Sequence, residues 1–271
     1  MADYKQITKD ARLTVLDMIY KAQSSHIGSN FSVIDILAVL FDKVDLNKDK
    51  VILSCGWKAA AFYYFLAEKG LIPKEDLDTY CQPGSKYIGL TEPGIPGIHF
   101  AGGSMGMGLP AAVGFALSKK MKGEDGTVYC VMSDGELQCG TTWESMLIAR
   151  QHKLGNLVVL VDHNGLQAMG LISEILHFGK IGEVVMEDRS FRDIPYSVLE
   201  DGWFKDLTSG HEISEIKRVL EQNHRNLPAF IWLLTTKGKG VSWMENNNEW
   251  HYKNLSKSDY LKAKKELCLS D

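Results

Sequence analysis

The chain has 271 residues, 45% apolar and 24% charged, with 30 basic against 34 acidic side chains and a net charge of −4. This composition excludes a disordered chain, which needs low hydrophobicity with high net charge, and a dedicated nucleic-acid binder, which carries a basic excess. No apolar run approaches the roughly 18 residues of a membrane span, and residues 1–13 hold no signal-peptide core. Five cysteines without a CxxC pair read as reduced thiols of a cytoplasmic protein.

In chain order, residues 7–22 carry apolar side chains at Leu13, Val15, Leu16, Met18 and Ile19, a helical spacing, and residues 33–40 predict a second helix. Val51-Ile52-Leu53 predicts a strand leading through Gly56 into a helix over 58–69, with Gly70 as its C-cap. Residues 82–110 hold four of the seven prolines and many glycines, which predicts a long loop of the kind that carries function. Then follow a helix over 111–122, a strand over 127–132, a helix over 141–153 and a strand over 157–161. A helix over 214–223, a strand over 229–234 and a helical tail over 258–267 complete the series. Apolar strands separated by a helix predict a βαβ unit, so the fold class is α/β with a parallel sheet flanked by helices. No repeat, low-complexity tract or linker divides the chain, and residues 1–271 read as one domain.

Ligands of open parallel sheets bind beyond the carboxyl ends of the strands. Ser133-Asp134-Gly135 and Asp162-His163-Asn164-Gly165 both fall there, so Asp134 and Asn164 can converge. A carboxylate with an amide oxygen suits Mg²⁺ or Ca²⁺ carrying a phosphate, and Gly135 lets a backbone amide approach one. As ordinary structure, the same residues serve as turns and caps. Gly102-x-Ser104-x-Gly106 matches the nucleophile elbow of serine hydrolases, with Asp162 and His211 or His251 in the required order. Pro93-Gly94-Ile95-Pro96-Gly97, however, leaves only residues 98–101 for the strand that an elbow needs. Thr236-Lys237-Gly238-Lys239-Gly240 reads either as a basic surface turn or as an anion-facing loop. His26 and His251 lie in loops, where a single histidine is usually an exposed group.

Together these segments resemble the N-terminal part of a transketolase, a thiamine-diphosphate enzyme. Ala22-x-Ser24-Ser25-His26-x-Gly28 resembles AxSGHPG, and Pro96-Gly97-Ile98 followed by Gly103-Ser104-Met105-Gly106-Met107-Gly108 resembles PGVE…GxLGQG. Asp134-Gly135-Glu136-Leu137-Gln138 with Gly140, Trp143 and Glu144 resembles GDGELQEG…WEA. Asp162-x-Asn164-Gly165-Leu166-Gln167, Lys237-Gly238-Lys239-Gly240 and Glu249-Trp250-His251 follow in the family's order. The resemblance implies a thiamine diphosphate cofactor with Mg²⁺ (or Ca²⁺) held by Asp134, Asn164 and the Leu166 carbonyl. It further implies diphosphate contact at Gly135, ring contact along Gly103, Ser104 and Met105, and a cofactor site that includes Glu136, Glu144 and His251. His26 and His251 become the residues that exchange protons with substrate hydroxyls.

The chain also departs from the family. Trp57 replaces a histidine after the first strand, Leu90 replaces the histidine of GHP, and His99, Met107 and Cys139 replace a glutamate, a glutamine and a glutamate. The loss of hydrogen-bonding histidines at Trp57 and Leu90, with His99 in place of a carboxylate, implies an altered substrate pocket. The donor is then expected to differ from the ketose phosphates of central metabolism. A full transketolase also has a pyrimidine-binding and a C-terminal domain. The length therefore implies a subunit that works with a separately encoded partner, in an α₂β₂ assembly, to transfer a two-carbon ketol or related acyl unit. Two further readings keep the fold: the α subunit of a 2-oxoacid dehydrogenase, and a non-catalytic scaffold.

Overall fold

The computed structural model describes residues 2–176, 202–222 and 227–269. Five strands, β1 (Lys50–Leu53), β2 (Val128–Ser133), β3 (Leu157–His163), β4 (Phe204–Ser209) and β5 (Ala229–Leu234), form one sheet in the order β1-β2-β3-β5-β4. Every pairing is parallel, as the near-continuous apolar runs of β2, β3 and β5 require of strands covered on both faces. Side chains alternate between two cores. Leu53, Val131, Leu160 and Ile231 face one core, with helices α1 (Tyr4–Ala22), α2 (Ile27–Lys43) and α3 (Ala59–Glu68). Ile52, Cys130, Val159 and Phe230 face the other, with α4 (Gly108–Lys122) and α5 (Gly140–Gln151). Short α6 (Ile172–Ile175), α7 (Ile213–Glu221) and C-terminal α8 (Lys257–Leu269) complete the described α-helices.

Three differences from the predicted elements have physical causes. Helix α2 starts six residues before the apolar pattern, because Gly28, Ser29, Asn30 and Ser32 are polar or small yet buried. Asn30 makes this possible: its Nδ2 donates to the carbonyls of His26 (2.9 Å) and Trp57 (3.1 Å), and its Oδ1 accepts the Ala61 amide. Strand β4 carries no apolar run, because it is an edge strand and mostly half-buried. Helix α4 starts at Gly108, since Pro110 sits in the first turn, where its missing N–H has no intrahelical partner to lose. The long loop is borne out: residues 80–107 contain no helix or strand.

Candidate functional site at the carboxyl ends of the strands

The register that sets Ser133 opposite Asp162 brings the next residues of β2 and β3 together. Gly165 N–H donates to Asp134 Oδ2 at 2.6 Å, and Gly135 N–H donates to Oδ1 at 2.9 Å. Asp134 is 2% exposed, and burial raises its carboxyl above the usual range. Asn164 is buried, with its Oδ1 accepting the Leu166 amide, and Leu166 pairs with Leu171 in a short antiparallel bridge. A carboxylate, an amide oxygen and a neighbouring backbone carbonyl are hard-cation donors. Asp134 rests on backbone amides, so the donor set fits a divalent ion. At Gly135 a Cβ would lie 3.3 Å from the Met105 methyl and 3.4 Å from Gln167 Cγ. A side chain there would enter the space between these two loops.

Glu136 is fully buried, and its own role is local. Its Oε1 accepts Ser54 Oγ and the Gly106 amide (3.1 Å), and its Oε2 accepts the Ser133 amide (2.8 Å) and hydroxyl. One carboxylate thus ties the ends of β1 and β2 to the glycine loop. Close packing explains one glycine after β1 and one in the loop: a Cβ on Gly56 would lie 1.9 Å from the Gly102 carbonyl, and one on Gly102 would lie 2.6 Å from the Leu53 carbonyl. Gly103, Ser104 and Met105, next in the chain, are exposed.

Asp162 differs from Asp134. Burial alone would raise its carboxyl, but Lys58 and the hydroxyls of Ser32 (2.6 Å) and Thr235 hold it below the usual range. Lys58 is itself buried, at 1% exposure. This arrangement, with the pairing of His211 to Asp35, removes the serine-hydrolase reading. Asp162 and His211 are committed elsewhere, and no strand leads into Ser104.

The two loop histidines meet. His26 caps α2 in a left-handed conformation (φ 70°), and its amide donates to the His251 carbonyl at 2.9 Å. Their rings contact edge to face at 4.9 Å. Burial, and then the Lys237 charge, lower His26 to about 4 and His251 to about 3, so both are neutral near pH 7. Lys237 is the residue that sequence reasoning left ambiguous. It is fully buried, not part of a surface turn. Its ammonium donates to His251 Nδ1 (2.8 Å), Asn248 Oδ1 (2.9 Å) and the Gln167 carbonyl (3.3 Å). Burial lowers Lys237 to about 8, with Asp134 opposing the shift. Because Lys237 donates to Nδ1, neutral His251 carries its proton on Nε2.

The residues that depart from the family divide. The Trp57 carbonyl is tied to that of His26 through Asn30, while its side chain packs on the α1–α3 core. Leu90 Cδ1 would lie 3.5 Å from a Cβ on Gly103, so Leu90 borders the site. His99 does not. It lies 6.2 Å from Phe115, two turns down α4, where Lys50 at the amino end of β1 covers the same ring. Extended loops have no periodicity from which such a path can be read. Glu144 is exposed on α5, and Cys139 is half-buried against Gly106.

Comparison with known proteins supplies the family. Residues 4–271 match the family described as transketolase, thiamine diphosphate binding domain. An apulose-4-phosphate transketolase subunit of Phocaeicola vulgatus is 32% identical over 94% of this chain and 90% of its own length. The 6-deoxy-6-sulfo-D-fructose transketolase subunit SqwG of Clostridium sp. is 32% identical over 94% of this chain and 93% of its own. Transketolase of Campylobacter jejuni superposes with a TM-score of 0.87 at 28% identity, over 99% of this chain and 43% of that one. The chain thus spans less than half of that transketolase but nearly all of the subunit proteins. The chain belongs to the transketolase thiamine-diphosphate-binding domain family of transferases.

Proposed function

We propose that this chain is the diphosphate-binding subunit of a two-component, thiamine-diphosphate- and Mg²⁺-dependent transketolase, which transfers a two-carbon ketol unit from a ketose donor to an acceptor. The observation that carries the reading is the convergence of Asp134 and Asn164 at adjacent strand ends, beside the Lys237–His251–His26 array. Asp134, Asn164 and the Leu166 carbonyl would hold the Mg²⁺. The Lys237 ammonium supplies positive potential for a diphosphate, and the missing side chain of Gly135 leaves room for it between the loops. Gly103, Ser104 and Met105 would line the cofactor rings, with Glu136 acting through the loop it fastens and Glu144 on the adjoining helix. Thiamine diphosphate, when bound, supplies a carbon nucleophile and an electron sink for the transferred fragment.

The chain's own part in catalysis is protonic and steric. His251 offers Nε2–H to a substrate hydroxyl, and the nearby His26 ring, neutral for the same reasons, can accept or return a proton. Leu90 presents apolar surface next to the glycine loop, and Trp57 replaces a polar histidine nearby, which disfavours donors whose hydroxyls need a hydrogen bond there. The relatives named for apulose 4-phosphate and 6-deoxy-6-sulfofructose support a specialised ketose carrying an anionic tail. Their designation as subunits supports a separately encoded partner, which we take to be the pyrimidine-binding, C-terminal subunit in an α₂β₂ assembly. A single domain over residues 1–271 and a cytoplasmic location belong to the same reading. It is compatible with free thiols at all five cysteines and with no described helix long and apolar enough to cross a membrane. The test is ketol transfer by the chain with and without its partner, using ketose phosphates and pyruvate as alternative donors. Transfer from a ketose only when both subunits are present is expected. Robust activity of the single chain, or preference for pyruvate, would overturn the proposal.

A further inference from the structure

Lys237 and His251 depend on the path of residues 235–251, and an ion-pair cluster outside the site holds the start of that path. Asp35, on α2, accepts two hydrogen bonds from Arg12 on α1, Nη1 to Oδ1 at 3.1 Å and Nη2 to Oδ2 at 2.6 Å. Its Oδ2 also pairs with His211 Nδ1 at 2.6 Å. Both partners of Asp35 then reach the same loop. Thr236 N–H donates to His211 Nε2 at 2.7 Å, and Arg12 Nε donates to the Lys239 carbonyl at 2.9 Å. Lys237 lies between these two fastened residues, and the Gly238 amide is bonded to the Gly28 carbonyl at 2.9 Å. The side chains of Arg12 and Asp35 are each 8% exposed, and that of His211 is 14% exposed. The fastening is therefore largely shielded from water.

We propose that Asp35, acting through Arg12 and His211, is the positioning device that fixes the loop backbone on both sides of Lys237 and so aims Lys237 and His251 into the site. None of the three touches the reacting groups. The hydrogen-bond roles are set: Nε2 accepts from Thr236, so Nδ1 carries the proton shared with Asp35. A group that accepts at one end and donates at the other can replace the imidazole, whereas an apolar group cannot. Glutamine meets that requirement through one amide. The proposal rests on the functional reading for its purpose, but not for its geometry.

The test uses hydrogen exchange on the full chain, followed by Mg²⁺-dependent thiamine diphosphate binding with the partner present. His211→Leu is expected to speed exchange in residues 235–251 by roughly fivefold or more, the equivalent of one lost hydrogen bond, while β2 and β3 keep their protection. His211→Gln is expected to restore the wild-type rate and the wild-type cofactor affinity. Unchanged exchange in His211→Leu would overturn the proposal, as would equal loss of protection across the sheet or failure of glutamine to rescue. If the loop responds as described but wild-type protein binds no thiamine diphosphate, the functional reading fails while the clamp stands.

Discussion

Two buried aspartates end neighbouring strands of this sheet, and their surroundings are opposite. Asp162 is neutralised from within, by a buried lysine and two hydroxyls that hold its carboxyl ionised. Asp134 is held by backbone amides, and burial pushes its carboxyl toward the protonated form. The first is a finished structural joint that links β3 to α2, to β5 and to the start of α3. The second is stable as an anion once a cation joins it, which is the chemistry of a metal-carrying diphosphate site. The same residue type at the same sheet edge thus serves two purposes, and the partner decides which.

The largest expected effect breaks the finished joint. Asp162→Asn leaves Lys58 buried without its counter-charge and should destabilise the ligand-free chain by about 3–5 kcal/mol, read as a fall in the urea midpoint. Adding Lys58→Met to that variant should recover most of the loss. If Asp162→Asn were as stable as wild type, the joint would have no structural role.

Next in size is a pH effect of the histidines. Their folded pKa values, about 4 and 3, lie below the ordinary 6.5 of an unfolded chain. The unfolded state therefore takes up protons first on acidification. Stability that is fully present above pH 6.5 should be lost as pH falls through the window down to those values. Between pH 7.5 and 5 the pair should account for about 3–4 kcal/mol, which the double variant His26→Asn/His251→Asn should not lose. Ring resonances that titrate near 6.5 would contradict this. Smaller again is Lys237→Met, which should weaken diphosphate-dependent binding about tenfold at pH 7, the loss of one buried positive charge beside the diphosphate. Because Lys237 loses its proton above about 8, wild-type affinity should fall as pH rises through that value, and the variant should lack this dependence. Calorimetric titration at pH 7 and 9 reads both. The smallest effect belongs to His99→Ala, which lies away from the site and should change cofactor affinity less than about twofold.

What could be read from the residues follows the same division. Asp134 and Asn164 were legible because strongly apolar strands fix their own ends, and a parallel register brings those ends together. Lys58 and Lys237 were not, since a lysine in sequence is ordinarily an exposed group, and only tertiary packing supplies the carboxylate or imidazole that allows burial. The start of α2 was hidden for a related reason. Asn30 and Ser32 look like surface residues until their distant partners, Trp57, Ala61 and Asp162, are in place. Residues 80–107 carry no period, so Leu90, which borders the glycine loop, and His99, which does not, could not be told apart.

The contrast between the two aspartates is tested most directly by titrating thiamine diphosphate into the chain with its partner subunit, with and without Mg²⁺, for wild type and Asp134→Asn. Binding should depend on Mg²⁺ and weaken at least about 100-fold in the variant. Equal affinity without a divalent ion, or in Asp134→Asn, would contradict the assignment of Asp134 as the carboxylate that recruits the cation.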